Sequence, residues 1–371
     1  MIRAYKGNAM IRAYKGKNST IFIAITCFLI ATNTLAKDIK ISGDLMLDHD
    51  SFESGFLEDE NESGTERFSK IRRANISIKT KLMDDWKAKL KVDFSGDSTE
   101  IKDAYIKYQG WDWADVTIGQ QKEGFGLEKL VSSRDTLMIE RSLVTTALTP
   151  GRSLGVSVTG GSASYNWQLG YYQPDESESA TAVTGRLAWL PWRQGNELVH
   201  LGVAFSERDL NGSDFRINEK MEVYLADSLI EGEKLLADKS SLQGIEFLWQ
   251  QAGFTTMAEW QQATVTDINN TDYDYQGGYV QFSYQLSGDN RKYKNGELGS
   301  VTTPGWEFTS RYSQFELIEE SREAQVYSLG VNYTVNEHLK FMADYIKAKQ
   351  LEVSNESDFS DAVSLRVQYA F

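Results

Sequence analysis

The chain has 371 residues, with 39 Lys and Arg against 53 Asp and Glu, a formal net charge of −14 and a single cysteine. That balance speaks against a nucleic-acid partner, and one cysteine leaves neither a disulfide framework nor a thiolate metal site. Four prolines, 29 glycines and 12% aromatic residues favour strands and turns, at a length that suits two or three ordinary domains or one large all-β unit.

Residues 1–36 read as a secretory targeting segment, a signal peptide. Arg3, Lys6, Arg12, Lys15 and Lys17 make a basic start without acids. IFIAITCFLIA at 21–31 is apolar but too short to span a bilayer, and TLA at 34–36 offers small residues for cleavage. MIRAYKG occurs at 1–7 and again at 10–16, which reads as a duplicated or misassigned start. Cleavage removes Cys27 and five of the 39 basic residues but no acids, leaving 34 against 53, net −19. Beyond it no run of about 18 apolar residues occurs, so no transmembrane helix is expected.

After residue 38, period-two alternation dominates. Ile41, Gly43, Leu45 and Leu47 share one face of a first strand, and an acid-dense stretch at 48–66 follows. Between 67 and 82, Ala74, Ile76, Ile78, Thr80 and Leu82 face one way and Arg73, Asn75, Ser77, Lys79 and Lys81 the other. On this count Arg72 falls on the apolar side. After a tight turn at Asp84 and Asp85, Trp86, Ala88, Leu90, Val92 and Phe94 oppose Lys87, Lys89, Lys91 and Asp93. Next, Ala104, Ile106 and Tyr108 oppose Asp103, Tyr105 and Lys107.

An alternating run at 114–121 leads into a connection at 122–151, far longer than the ~2–5 residues usual between paired strands. The connection carries Phe125, Leu127, Leu130, Leu137, Met138, Ile139, Leu143, Val144 and Leu148, with Arg134 and Arg141 among them and Arg152 just after. So apolar a loop is expected to fold back against the inside of whatever the strands enclose.

Further strands follow at 152–159, 165–171, 183–189, 199–205, 242–250, 254–265, 275–286, 305–315, 325–334, 338–349 and 361–371. Tight turns alternate with longer loops, as expected of an outer-membrane barrel with periplasmic turns and external loops. The expected fold is all-β: a 16-stranded antiparallel transmembrane β-barrel over 37–371, its third external loop folded inward. An even count requires 207–241 to be one external loop, with 216–225 inside it, and a long periplasmic connection at 287–304. Val363, Leu365, Val367, Tyr369 and Phe371 occupy alternate positions up to the terminal aromatic, similar to the signal read by the barrel assembly machinery.

In such a barrel the apolar face meets lipid and the other face lines the lumen. Arg73, Lys79, Lys81, Lys87, Lys89 and Lys91 then share the inner wall. Like charges on neighbouring strands repel, so a cation ladder in an acidic protein calls for a reason. Rings of Arg and Lys are how a pore favours anions, and the arginine fork suits phosphate.

GQQKEGFGLEKLVSSRD at 119–135, MIERSLV at 138–144 and PGRSLG at 150–155 resemble the phosphate-selective porin O/P family. RRAN at 72–75, STEIKDAYI at 98–106 and GGYVQFSY at 277–284 support this, and the similarity runs from about Ile39 to Phe371. The resemblance implies a barrel of this strand number, commonly a homotrimer. It implies a pore narrowed by the third and partly the fifth external loop, with anions passing along an arginine ladder. It carries the constriction onto Arg72, Arg73, Asp103, Ser132, Ser133, Arg134 and Arg141, with Arg216 of the fifth loop as a weaker match.

The expected function is passive diffusion of small anions across the outer membrane of a Gram-negative cell, phosphate or polyphosphate first. A general or weakly cation-preferring porin and a structural or adhesive barrel are the alternatives. Partners would be the anion, outer-membrane lipid and lipopolysaccharide. No cofactor or metal is expected. His49, His200 and His338 are scattered without a nucleophile or ligand spacing, so no enzyme is expected.

Overall fold

The computed structural model describes residues 37–58, 64–96, 98–174, 179–352, 355–356 and 358–371. The targeting segment expected at 1–36 lies outside these residues, as do Asp59, Glu60 and Glu62 of the acidic stretch. Sixteen long strands form one antiparallel sheet. They are β1 (Lys37–Glu53), β2 (Thr65–Met83), β3 (Trp86–Asp93), β4 (Glu100–Tyr108), β5 (Ala114–Lys122), β6 (Arg152–Gly161), β7 (Tyr165–Gln173) and β8 (Thr181–Gln194). The second half comprises β9 (Glu197–Phe215), β10 (Leu235–Gln251), β11 (Phe254–Asp267), β12 (Asp272–Gln285), β13 (Gly305–Leu317), β14 (Arg322–Thr334), β15 (Leu339–Glu352) and β16 (Ser360–Ala370).

β1 pairs with both β2 and β16, so the sheet closes on itself and leaves no edge. Phe371 completes the seam: it exchanges backbone hydrogen bonds with Gly43, 3.0 Å in each direction. The expected strand number and closure are those observed.

Alternation decides which side chain faces which medium. Ile41, Leu45, Ile76, Ile118, Val156, Leu187, Val203, Ile245, Phe282, Phe308, Leu329 and Val367 all point outward and are exposed. Such a belt around a whole sheet is tolerable only against hydrocarbon. Ala88, Leu90 and Val92 lie on that face as well, but sit beside cross-strand partners Ile76, Ile78, Ile101 and Ile106 and are buried.

Short turns gather at one end of the barrel. Ala252 and Gly253 connect β10 to β11 with φ of 49° and 83°, the left-handed pair that a two-residue hairpin requires. Residues 286–304, joining β12 to β13 at that same end, are the exception. They fold into a small hairpin, Tyr293–Lys294 against Glu297–Leu298, turning on Asn295 and Gly296 at φ 53° and 77°.

The expected loop at 207–241 is shorter than its sequence suggests. β9 runs on to Phe215 and β10 starts at Leu235, paired with one register shift between Ala237 and Lys239, so only 216–234 connects them. Polar residues on both faces hide these extensions from a hydropathy reading, since above the bilayer neither face needs to be apolar. Within the connection Asn218–Glu219 pairs with Ile230–Glu231 and crosses nothing, as the even count requires.

One side of the interior is dry. Phe125, Leu127, Val131, Leu137, Leu143, Val144 and Leu148 of the 123–151 connection form one apolar cluster with inward-facing Leu242, Leu248, Met257, Phe315, Val326 and Ile346. Ile217, Met221, Val223 and Ala226 of the 216–234 connection join it.

Ile245, 60% exposed in mid-β10, tests the assignment of the outer face. Ile245→Lys should destabilise the barrel by about 2–4 kcal/mol in a bilayer. Midpoints of folded-band loss on unboiled gels measure this; an unchanged midpoint would place Ile245 away from lipid.

Candidate functional site

A one-residue irregularity sets the inner wall. In the β1–β2 ladder Met46 opposes Arg73 but Leu47 opposes Ile71, so Arg72 is the extra residue of a β-bulge. A bulge re-aims a side chain. Ile71 stays outside, and Arg72 and Arg73 both turn inward. The parity that put Arg72 on the lipid face is therefore corrected: its guanidinium donates to both oxygens of Glu140, at 2.7 and 2.9 Å.

Below the bulge the lysines stand in rows. Lys40, Lys79 and Lys89 lie directly opposite one another on successive strands, as do Lys81, Lys87 and Lys107. Some have partners: Lys89 lies 2.6 Å from Asp103, Lys91 3.7 Å from Asp44, Lys81 3.6 Å from Asp84 and Lys107 3.6 Å from Asp115. Asp103 also takes a 2.7 Å hydrogen bond from Arg152, so it holds two cations at once. Among the described residues Arg73, Lys79, Lys87 and Arg134 have no ion pair.

Two further cations come from the end of β5 and from the connection. A short helix, α1 (Leu127–Leu130), presents the free carbonyls of its last turn. Lys122 Nζ donates to the carbonyls of Lys129 and Leu130 at 2.6 and 2.9 Å. Arg141 donates to those of Glu128 and Val131 at 3.0 and 2.8 Å. Carbonyls position a cation without cancelling its charge. Ser132 and Ser133 sit half-buried in the turn beyond, where Ser132 accepts from the backbone N–H groups of Arg134 and Asp135.

The carboxylates are treated differently. Glu123 accepts from Ser153, Thr184 and Arg208 at 2.6, 2.5 and 3.0 Å. Glu128 accepts from Ser142 and Arg311 at 2.7 and 3.4 Å. Glu140 takes Arg366 at 2.9 Å in addition to Arg72. Burial works to raise Glu140, but Arg72 and Arg366 hold it well below the usual carboxylate range. The same pairing recurs elsewhere in the interior: Arg186 with Glu246, Arg291 with Glu307, Arg311 with Glu222, and Arg366 with Asp48, all buried.

The connection is tied to side chains from much of the strand circuit. Its backbone N–H groups reach Glu259 from Leu127 and Glu128, and Asp344 from Ile139, at 2.6–2.9 Å. Its carbonyls accept from Arg311, Asn332, Arg366 and Gln368. Arg291 donates at 2.7 Å to the carbonyl of Asp135, joining it to the 286–304 segment.

Of the residues singled out from sequence, Arg73, Lys79, Lys81, Lys87, Lys89, Lys91 and Asp103 share one wall, and Arg134 and Arg141 lie on the connection. Arg216 stands apart, held at 2.6 Å by Glu231 in its own loop. Arg291, in the 286–304 segment, is buried against Glu307. The paired arginines at 186, 208, 311 and 366 stand at positions that alternation places opposite the apolar face, but their pairing has no signal in the sequence.

A family model described as phosphate-selective porin O and P matches residues 39–371. The chain belongs to this family. The porin is 24% identical to porin O of Pseudomonas aeruginosa over 403 residues, covering 92% of this chain and 90% of that one. Its fold is similar to an anion-selective porin from Comamonas acidovorans, with TM-score 0.62 at 10% identity, covering 90% of this chain and 99% of that chain. It is also similar to the trimer form of OmpT, an outer membrane protein of Vibrio cholerae, with TM-score 0.58 at 11% identity and the same coverage of each chain, 90% and 99%.

Arg366→Met leaves Asp48 and Glu140 facing one another with less compensation. Breaking a buried pair in this way should cost about 3–5 kcal/mol, read as a lower thermal midpoint of the folded porin. The double change with Asp48→Leu should recover part of it. Equal midpoints for wild type and Arg366→Met would show that the pair does not anchor the connection.

Proposed function

We propose that the porin is a passive outer-membrane pathway for small anions, phosphate and its polymers first, with no energy coupling and no catalysis. The observation that carries this reading is the unequal fate of the charges. The carboxylates of the connection at 123, 128 and 140 are taken up by arginines, while Arg73, Lys79, Lys87 and Arg134 have no ion pair among the described residues. The sum over the lumen is then positive although the chain is acidic.

The connection at 122–151 serves as the constriction in this reading, its cations Arg134 and Arg141 opposing Arg73. Lys79, Lys81, Lys87, Lys89 and Lys91 continue the path toward the periplasm. Asp103 spaces Lys89 and Arg152, and the Ser132 and Ser133 hydroxyls offer hydrogen bonds where water is stripped. Arg216 has the weakest part, at the external mouth. A unit charge at 4 Å attracts an anion by about 1 kcal/mol in a water-like medium and about 4 kcal/mol at an effective dielectric of 20. Several such steps concentrate an anion yet let it leave.

The names of two relatives, an anion-selective porin and a porin O of a phosphate-selective family, support this substrate class, and one neighbour's trimer form supports assembly as a homotrimer in lipid and lipopolysaccharide. Residues 1–36 act as the cleaved signal peptide, and the strand ending at Phe371 is offered to the barrel assembly machinery.

Reversal potentials across a planar bilayer in a salt gradient test the reading directly. Anion preference is expected; cation preference or no conductance would overturn it. Replacing Lys79, Lys81, Lys87, Lys89 and Lys91 together by Gln should cut the anion-to-cation ratio severalfold, and an unchanged ratio would make the ladder irrelevant to permeation.

The pH dependence has a definite sign. Burial, then Arg141, brings Lys129 down to about 8, with Arg152 and Arg73 acting the same way and Glu219 opposing. Its charge is present below that value and lost above it. Anion preference should fall as pH rises through this range, and Lys129→Gln should flatten that fall. A fall of the same size in the variant would assign the titration to another group.

A further inference from the structure

The hairpin at 293–298 is held inside the wall at three points. Arg186 Nη2 donates to the carbonyl of Gly296 at 3.0 Å, His200 Nδ1 and the Tyr293 hydroxyl are 2.6 Å apart, and Arg193 donates to the carbonyl of Tyr293 at 3.4 Å. Tyr293 and Leu298 are buried, and a Cβ on Gly296 would stand 2.9 Å from Arg186 and 3.0 Å from Asn166. The tip is thus fixed close against the barrel. Glu297, between them, is exposed. It lies beside α1 of the connection; burial pushes its carboxyl up, and Lys122, Arg186, Lys89 and Lys107 oppose that and favour its charged form. Among the described residues its carboxylate has neither an ion pair nor a hydrogen bond.

A lone carboxylate fixed among lysines in a path for anions carries a cost. It repels every anion that passes, unless that anion can give it a hydrogen. An ionised carboxylate only accepts hydrogen bonds. Sulfate and chloride have no hydrogen to donate, whereas phosphate near neutral pH keeps one or two P–O–H groups. We propose that Glu297 is a specificity-determining residue, accepting a hydrogen bond from protonated oxyanions drawn past Lys89, Lys107 and Lys122 and rejecting anions that have none. This rests on the reading of the lumen as an anion path. The hairpin makes the selection sharp, because a carboxylate on a fixed turn cannot swing away to relieve the repulsion.

The test compares wild type with Glu297→Gln, in the full-length porin, using bi-ionic potentials for inorganic phosphate against sulfate. Gln keeps the shape but can donate, so sulfate is no longer penalised. The phosphate-over-sulfate permeability ratio should fall about tenfold, the order expected for losing a hydrogen bond to a charged acceptor. The anion-over-cation ratio in potassium chloride should rise or hold. Gly296→Val, which pushes the tip off Arg186, should lower the phosphate-over-sulfate ratio as well. A ratio unchanged within about twofold in Glu297→Gln, in a channel still anion-preferring, would overturn this role alone. Cation preference of the wild type would instead overturn the anion reading itself.

Discussion

An arginine that is bound to a carboxylate has little field left to offer a passing ion. That constraint organises the interior of this barrel. A connection of nearly thirty residues folded against lumen-facing side chains must bring its own polar backbone and its own acids with it. Each has to be satisfied where water is scarce, because a buried polar group left unpaired costs about 1–3 kcal/mol. Arg208, Arg311 and Arg366 meet that need for Glu123, Glu128 and Glu140. Glu259 and Asp344 meet it for the amides of Leu127, Glu128 and Ile139. The interior is thereby divided. Arg186, Arg208, Arg311 and Arg366, on β8, β9, β13 and β16, are structural, buried and bound to carboxylates. On the side of β1–β6 the lysines stand in rows, partly paired and open to water.

Much of the fold was legible. Period-two alternation locates a strand wherever one face must be apolar, and β3, β7 and β16 were readable for that reason. The readings that failed did so where the bilayer imposes nothing. β9 and β10 extend past the membrane with polar residues on both faces, so their continuation to Phe215 and from Leu235 left no hydropathy mark. Arg72 failed for a different reason. A bulge is a local change of register that depends on what the partner strand pairs with, and no feature of Arg72 and Arg73 alone announces it. The Asn295-Gly296 pair is itself a hairpin signal present in the sequence.

The site was legible in outline and not in its charge pairing. Alternation can say that Lys79, Lys89, Arg186 and Arg311 all face inward. Which of them is neutralised depends on contacts between residues far apart in the chain, such as Arg311 with Glu128 and Arg366 with Asp48. Net charge is equally uninformative about the lumen. The 53 acids outnumber the 39 bases overall, yet acids on external loops and acids inside ion pairs contribute little to the field along the inner wall.

The division between free and neutralised cations can be seen directly by soaking crystals of the porin in bromide and recording anomalous scattering. Bromide should appear along the wall of β1–β6, beside Arg73, Lys79, Lys87 and Arg134, and be missing from Arg186, Arg291, Arg311 and Arg366. Bromide ordered at those buried arginines, or none along the lysine wall, would contradict the account.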